Sequence, residues 1–322
     1  MGIRDFVGKR IVESFVTIFI VVALNFYLFR VMPGNPIDVM FNPAISPEAK
    51  VIMMHELGLD KPLPTQFIIY LKNLCKGNLG YSFLEHSSVM DAILRRLPNT
   101  VLLMLFSNIL AILLGVVLGV IASWKRGTSI DISSLIMALT LTSMPMFWLG
   151  GMMLLIFSVR FHMFPIFGII TPGVSYPNFL AYIADIGHHL FLPMISLGLG
   201  SFGGLFLVMR NTMLDAFTED YTLTAKAIGL RNRTIIFKNV LRNALLPVIT
   251  IISLRLGFMA GGAVLTETVF SWPGVGLLIY NAVNARDYQI LQGAFLVITM
   301  LVVLANFVAD IVYGYADPRV RY

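Results

Sequence analysis

The run Thr100–Ser123, TVLLMLFSNILAILLGVVLGVIAS, holds 24 residues and not one charge. At about 1.5 Å per residue, a helix of this length crosses the roughly 30 Å hydrocarbon core of a bilayer. It is apolar on every side, so it has no face to turn toward water and suits lipid or other helices. Runs of the same character lie at Ile11–Val31, Ile132–Val159, Leu190–Met209, Leu245–Val269 and Leu291–Val312. Together they predict an all-α integral membrane protein with six transmembrane helices. The first run follows Arg4, Lys9 and Arg10, is too long for a signal-peptide core and precedes no small-residue cleavage site. It is expected to stay as an anchor.

Composition agrees. Of 322 residues, 57% are hydrophobic and 12% charged, about half the charge of an ordinary soluble domain, and the mean hydropathy is +0.84. A soluble enzyme is thereby disfavoured. With 24 Phe, 18 Met and only 17 acidic residues, neither disorder nor nucleic-acid binding has compositional support. The net charge of +6 is then expected at the membrane boundary. The single cysteine, Cys75, can form neither an internal disulfide nor a four-thiolate metal site, and is expected to be a small buried hydrophobe.

The positions of Lys and Arg orient the helices. A cytoplasmic N-terminus puts Lys125 and Arg126, the stretch with Arg210, Lys226, Arg231, Arg233, Lys238 and Arg242, and the Arg319/Arg321 tail inside. The short outer loops then hold only Arg160 and Arg286, and both termini are cytoplasmic. This gives residues 1–31 as N-terminus and first helix, 32–98 as an extracytoplasmic cap segment, and 99–322 as the main transmembrane domain.

In the cap segment, Ser46-Pro47-Glu48 opens a short helix that Gly58 can close. Thr65–Leu74 places Phe67, Ile68, Leu71 and Leu74 at helical spacing before Gly77, and Pro98 falls near the first turn of helix two. On the inner side, the loop 211–246 between helices four and five is too polar to span. It reads as two short helices: Glu219–Ile228 closed by Gly229, and a second capped by Asn232 with Ile235, Ile236, Val240 and Leu241 as its apolar stripe. Thr224, Ala225 and Ala227 are small enough to let another surface approach closely. An amphipathic helix lying at the lipid interface fits the same residues.

The run Tyr221–Leu230, YTLTAKAIGL, followed by Leu241–Pro247, LRNALLP, resembles the cytoplasmic EAA loop of ABC importer membrane subunits, in its dipeptide/oligopeptide/nickel permease form. The blocks Arg30–Pro36 (RVMPGNP), Gly58–Pro64 (GLDKPLP), Gly77–Ser82 (GNLGYS), Glu267–Gly276 (ETVFSWPGVG) and Asp317–Tyr322 (DPRVRY) resemble that family's first permease subunit, in chain order. Leu223 stands where many importers carry Glu, and Thr224 replaces the first Ala; the peptide branch shares both departures.

The resemblance implies a type I ABC importer fold and a permease subunit of an ATP-driven, binding-protein-dependent importer, most naturally of dipeptides or oligopeptides. Nickel chelates or oligosaccharides are alternative cargoes for the same machinery. The implied partners are a second related permease, two cytoplasmic ATPase subunits that bind ATP and magnesium, an extracytoplasmic binding protein and the lipid bilayer. Tyr221, Leu223, Thr224, Ala225, Lys226, Ala227, Ile228, Gly229 and Leu230 would form the coupling helix in the ATPase cleft. Ala225 and Ala227 suit close approach, Leu223, Ile228 and Leu230 an apolar cleft, and Gly229 a left-handed turn.

No G-x-x-x-x-G-K-[ST] phosphate loop occurs, so hydrolysis is expected in the partners, and no cofactor or catalytic residue is expected in this chain. Ionisable residues in the spans are functional candidates, here Arg255, Glu267 and Asp310, with Asn25, Asn108 and Asn306 as polar neighbours. Arg255 suits a path-facing role toward a peptide carboxylate, or an ion pair to a partner subunit. Glu267 can gate or line the path, or fix the turn at Trp272-Pro273-Gly274, whereas Asp310 suits a helix-end or tail contact. His188-His189, at the start of a helix before Pro193, invites metal ligation, but adjacent histidines do not face one pocket and no ligand set surrounds them. Phe147, Trp148, Met144 and Met146 are expected as packing or interface anchors, and Gly198–Gly204 and Gly257–Gly262 as close helix contacts, possible at a subunit interface. A self-contained channel or secondary transporter would call for mid-span charges in both halves, and only Arg255 is of that kind. An intramembrane enzyme would need motifs such as H-E-x-x-H or G-x-S-x-G, which the sequence lacks.

Overall fold

The computed structural model describes residues 3–31, 60–82, 84–257 and 263–316. The expected helix from Ser46 to Gly58, most of 257–262 and the terminal block from Asp317 lie outside them. Among the described residues five helices are long and apolar enough to cross a membrane, or six if a bent pair counts as one span. The chain forms two compact units: residues 1–100, 260–264 and 273–322 in the first, and 101–259 with 265–272 in the second.

In the first unit, α1 (Ile3–Val31) packs against α12 (Tyr288–Ala316). Asn25 Nδ2 donates to the Gln292 carbonyl at 3.2 Å, and Arg10 meets Asp310 at 3.3 Å. Rising numbers on one helix meet falling numbers on the other, so the pair is antiparallel. Asp310 is thus tied to α1, a tertiary contact more definite than the expected helix-end role. The helix α2 (Leu63–Cys75) leans on α1 through Phe67 and Phe26, whose centroids are 5.2 Å apart. Ile68 and Cys75 are exposed, so neither is the buried group its apolar character predicts.

A two-residue hairpin, β1 (Tyr81–Ser82) and β2 (Ser87–Ser88), leads into α3 (Val89–Trp124). Helix α3 starts well before Pro98, which is interior to it. The start is set by a reciprocal cap: Ser88 Oγ accepts the Asp91 N–H at 3.1 Å and donates to Asp91 Oδ2 at 2.6 Å. The first turns of α3 then bury Val89, Ala92 and Ile93 against α11 (Val275–Ala285) and α12, whose Val275, Leu278, Ala282, Ile290 and Ala294 complete this core. Asn99 Nδ2 donates to the Pro273 carbonyl at 2.8 Å, and Thr100 Oγ1 accepts the Val275 N–H at 2.8 Å, fixing the start of α11.

The second unit takes the rest of α3 and is organised by α6 (Phe179–Thr218), which Asn178 caps by accepting the Ala181 N–H. Phe202, Leu205, Phe206, Met209 and Met213 on α6 are fully buried. A Cβ on Gly115 of α3 would lie 2.7 Å from that of Leu205, and one on Gly203 of α6 would lie 2.8 Å from the Ala138 carbonyl. Gly198, Gly200 and Gly203 therefore bring helices of this chain together, as close helix contacts. His188 and His189 lie inside α6 rather than at its start.

The expected single span Ile132–Val159 is instead α4 (Ser129–Ser143) and α5 (Met146–Met153), the latter running into a π-helical turn at Leu154–Arg160, with a 100° bend between the pair. Pro145 is the cause: it forces Met144 into an extended conformation (ψ 136°) and cannot supply an N–H to the preceding turn. The expected span Leu245–Val269 is likewise divided. Helix begins at α8 (Asn232–Thr234), passes through a π-helical segment at Ile235–Val240 into α9 (Leu241–Gly257), and α10 (Val264–Val269) is a separate short helix.

Candidate coupling site and the intramembrane polar residues

Between α6 and α8 lies α7 (Asp220–Ala227), the first of the two helices expected in this loop. Its end is a Schellman motif: the Leu230 N–H reaches the Ala225 carbonyl at 3.2 Å, and the Gly229 N–H reaches that of Lys226 at 3.0 Å. Gly229 has φ +81°, where an L side chain is strained, so the glycine is what redirects the chain. The second helix is not separate. Arg231 occupies the cap position, Asn232 is the first helical residue, and the helix continues into the span.

Burial divides α7 into two faces. Thr222 is fully buried and Ala225 is 4% exposed, one turn apart, within the core of the second unit. Thr222 Oγ1 donates to the Ala216 carbonyl at 2.7 Å, pinning α7 to the end of α6. Tyr221, Leu223, Thr224, Lys226, Ala227, Ile228, Gly229 and Leu230 are exposed, Ile228 at 70%. Ala225 is therefore small because its own chain crowds it, and the small residues free to admit another surface are Thr224 and Ala227. Thr222 carries the attachment and was not singled out in the sequence; a threonine one turn before Ala225 on the same face is its only signal.

A second tie holds this end of the unit. Arg210 of α6 donates from Nε to Asp131 Oδ1 at 2.7 Å and from Nη2 to Oδ2 at 2.9 Å, and the Gly127 N–H adds a bond to Oδ2 at 2.9 Å. Asp131, at the start of α4, is 3% exposed. This bidentate pair joins residues 79 apart, and charge counting registers Arg210 only as one more inner cation.

The two weaker candidates lie apart from α7. Arg255 donates from Nη2 to the Ser201 carbonyl at 2.9 Å, and among the described residues no carboxylate comes within ion-pair distance of it. Glu267 is fully buried, and its carbonyl accepts the Trp272 N–H at 2.8 Å in a turn where Ser271 has φ +45°. A buried Glu267 lines no open surface of this chain, so its position suits the turn rather than a path. His188 Nε2 meets the Met163 carbonyl at 2.8 Å, His189 Nδ1 meets that of Asp185 at 2.9 Å, and their rings stand at 82°. Asp185 also accepts from the Thr171 N–H, the Thr171 hydroxyl and the Tyr176 hydroxyl, at 2.7, 2.8 and 2.6 Å, and so anchors the loop before α6. The Asp185 carboxylate pushes the Tyr176 phenol above its ordinary range by accepting its proton in a hydrogen bond.

Helices of bilayer length, with a short helix between two of them that exposes apolar side chains, describe a multi-pass membrane protein. The chain belongs to the family of binding-protein-dependent transport system inner membrane components, whose profile matches residues 115–322, while the profile for that family's N-terminal region matches residues 3–104. It is 38% identical to the di/tripeptide transport system permease protein DppB of Pseudomonas aeruginosa (strain UCBPP-PA14), over 99% of each chain. It is 35% identical to the oligopeptide transport system permease protein AppB of Bacillus subtilis (strain 168), over 98% of this chain and 99% of that one, and 34% identical to the dipeptide permease DppB of Escherichia coli (strain K12), over 99% of each. Among solved structures it resembles a chain of the MetNI methionine ABC transporter in an inward-facing conformation, with a TM-score of 0.56 and 16% identity, covering 70% of this chain and 95% of that one. The fold is that of a type I ABC importer permease, and the chain is an inner-membrane component of a binding-protein-dependent transport system.

Proposed function

We propose that this chain is one of two related permease subunits that form the path of an ATP-driven importer of dipeptides or oligopeptides. The observation that carries the reading is the likeness, over nearly the whole chain, to di/tripeptide and oligopeptide permeases. In this reading both termini and α7 are cytoplasmic, and two ATPase subunits bind ATP and magnesium and receive the exposed face of α7. Leu223, Ile228 and Leu230 are each at least 40% exposed there. Apolar side chains grouped on a loop outside the spans are favourable when a partner covers them. Closure of the ATPase pair pushes on α7, and Thr222 carries the displacement into α6. This chain supplies no catalytic residue. Arg255, with guanidinium donors left over after Ser201, is placed to meet a peptide carboxylate or an acidic group of the second permease.

The test is mild-detergent purification of the tagged chain, followed by reconstitution with what accompanies it. Recovery of ATPase chains, a second permease and a binding protein, with ATP-dependent uptake of a labelled tripeptide into proteoliposomes, is the expected result. Recovery of the chain alone or as a homo-oligomer, with Gly229→Trp behaving as the wild type, would overturn the proposal in favour of a self-contained channel or carrier.

A further inference from the structure

A cavity of about 450 Å³ lies behind α7, lined by Ser123, Trp124 and Arg126 after and at the end of α3, Leu214, Phe217 and Thr218 on α6, Lys226 on α7, and Asn232, Ile235 and Ile236. Its volume is within the range of small-molecule sites, about 300–1,000 Å³. Trp124 directly follows the uncharged, bilayer-length run Thr100–Ser123, so that wall of the cavity stands where a membrane-spanning segment gives way to charged residues. Its chemistry is divided in the same way. Arg126, Lys226, Ser123, Thr218 and Asn232 offer charge and hydrogen bonds, while Trp124, Leu214, Phe217, Ile235 and Ile236 offer apolar walls.

Among the described residues neither Arg126 nor Lys226 makes an ion pair; Arg210 holds the buried carboxylate of Asp131, which Arg126 influences only through space. Helix ends at Trp124 and Thr218 contribute carbonyl dipoles of the opposite sign, worth about half a charge each. Two full positive charges outweigh them. Part of the wall, Ile235 and Ile236, belongs to the π-helical segment, a distortion found often at functional sites.

We infer that this cavity binds the headgroup of an anionic phospholipid, with the phosphate between Arg126 and Lys226 and the acyl chains continuing past Trp124 into the bilayer. A free anion would have no use for the apolar walls, and a zwitterionic lipid would bring its own cation to two that are already there. Basic pockets among transmembrane helices take anionic headgroups by this logic. The bound lipid would brace α7 against α6 from the membrane side. Only the choice of leaflet rests on the cytoplasmic placement of α7 proposed above.

The experiment is native mass spectrometry of the purified full-length chain titrated with phosphatidylglycerol or phosphatidylcholine. Wild type, Arg126→Gln/Lys226→Gln, and the control Lys125→Gln/Arg242→Gln would be compared; the control loses the same charge outside the cavity. Each membrane-surface cation is worth about fivefold, so the first double variant is expected to bind phosphatidylglycerol about 25-fold more weakly, with the control near wild type. Equal loss in both double variants would overturn the inference by reducing it to general attraction. So would displacement by inorganic phosphate at matched concentration, which would mark a free-anion site. Unchanged lipid affinity in Arg126→Gln/Lys226→Gln would overturn it too. Because the readout needs neither ATP nor substrate, its failure leaves the importer proposal standing.

Discussion

Replacing Asp131 by Ala removes the carboxylate that holds Arg210 through bonds of 2.7 and 2.9 Å and leaves the Gly127 N–H without its acceptor. The side chains of Asp131 and Arg210 are 5% and 16% exposed, so water cannot readily replace the lost partner. Removing one member of such a pair strands the other charge and is expected to cost about 3–5 kcal/mol. The cost would fall on the end of the second unit, where α4 begins and α6 approaches α7. Removing Arg210 alone, as Arg210→Met, should cost a similar amount by stranding the carboxylate. In the double variant no charge is left uncompensated, so its loss should fall short of the sum of the singles by about 2–3 kcal/mol. The assay is reversible unfolding of the purified chain in mixed micelles, followed by tryptophan fluorescence. Additivity within about 0.5 kcal/mol would refute the reasoning, because it would mean that the pair is solvated or unformed in the membrane.

Three further outcomes follow from single positions. Thr222→Val keeps the shape but gives up the bond to the Ala216 carbonyl, so it should lower stability by about 1 kcal/mol and, in the assembled importer, reduce transport more than ATP hydrolysis. Gly229→Ala forces a Cβ at φ +81°, costing about 1–2 kcal/mol locally, and Gly229→Trp should abolish coupled uptake while membrane insertion, checked by glycosylation or protease mapping, is retained. The raised pKa of Tyr176 means that its hydrogen bond to Asp185 is fully present below the ordinary tyrosine range near 10 and is lost as pH rises through the higher folded value. Proteolytic protection of loop 161–178 should therefore fall on the alkaline side, and Tyr176→Phe should remove that pH dependence.

The spans are legible in the sequence because lipid demands long apolar runs, and Thr100–Ser123 satisfies that demand without help from any neighbour. What the hydropathy does not carry is where each helix begins. Helix α3 gains residues from Val89 onward although Asp91, Arg95 and Arg96 lie among them, because Ser88 and Asp91 close a cap and Val89, Ala92 and Ile93 meet α11 and α12. That core joins residues nearly 200 apart in the chain, and no local window contains it. The break at Pro145 was legible in principle, since a proline ahead of two glycines in an apolar run is a bend signal, but length alone argued for one span.

The candidate coupling site divides along the same line. The end of α7 is local chemistry, so Gly229 could be read directly and has the backbone its residue type requires. The outward face of α7 is not local. Thr222, Thr224, Ala225 and Ala227 are all small, and only the end of α6 decides that Thr222 and Ala225 turn inward. That choice also decides what a substitution tests. A bulky residue at Ala225 would damage the seat of α7 on its own chain and reduce stability before it reported on any partner. The same residue at Ala227 would leave the seat intact, so under the docking proposed for α7 it is Ala227, of the two alanines, whose variants separate coupling from folding.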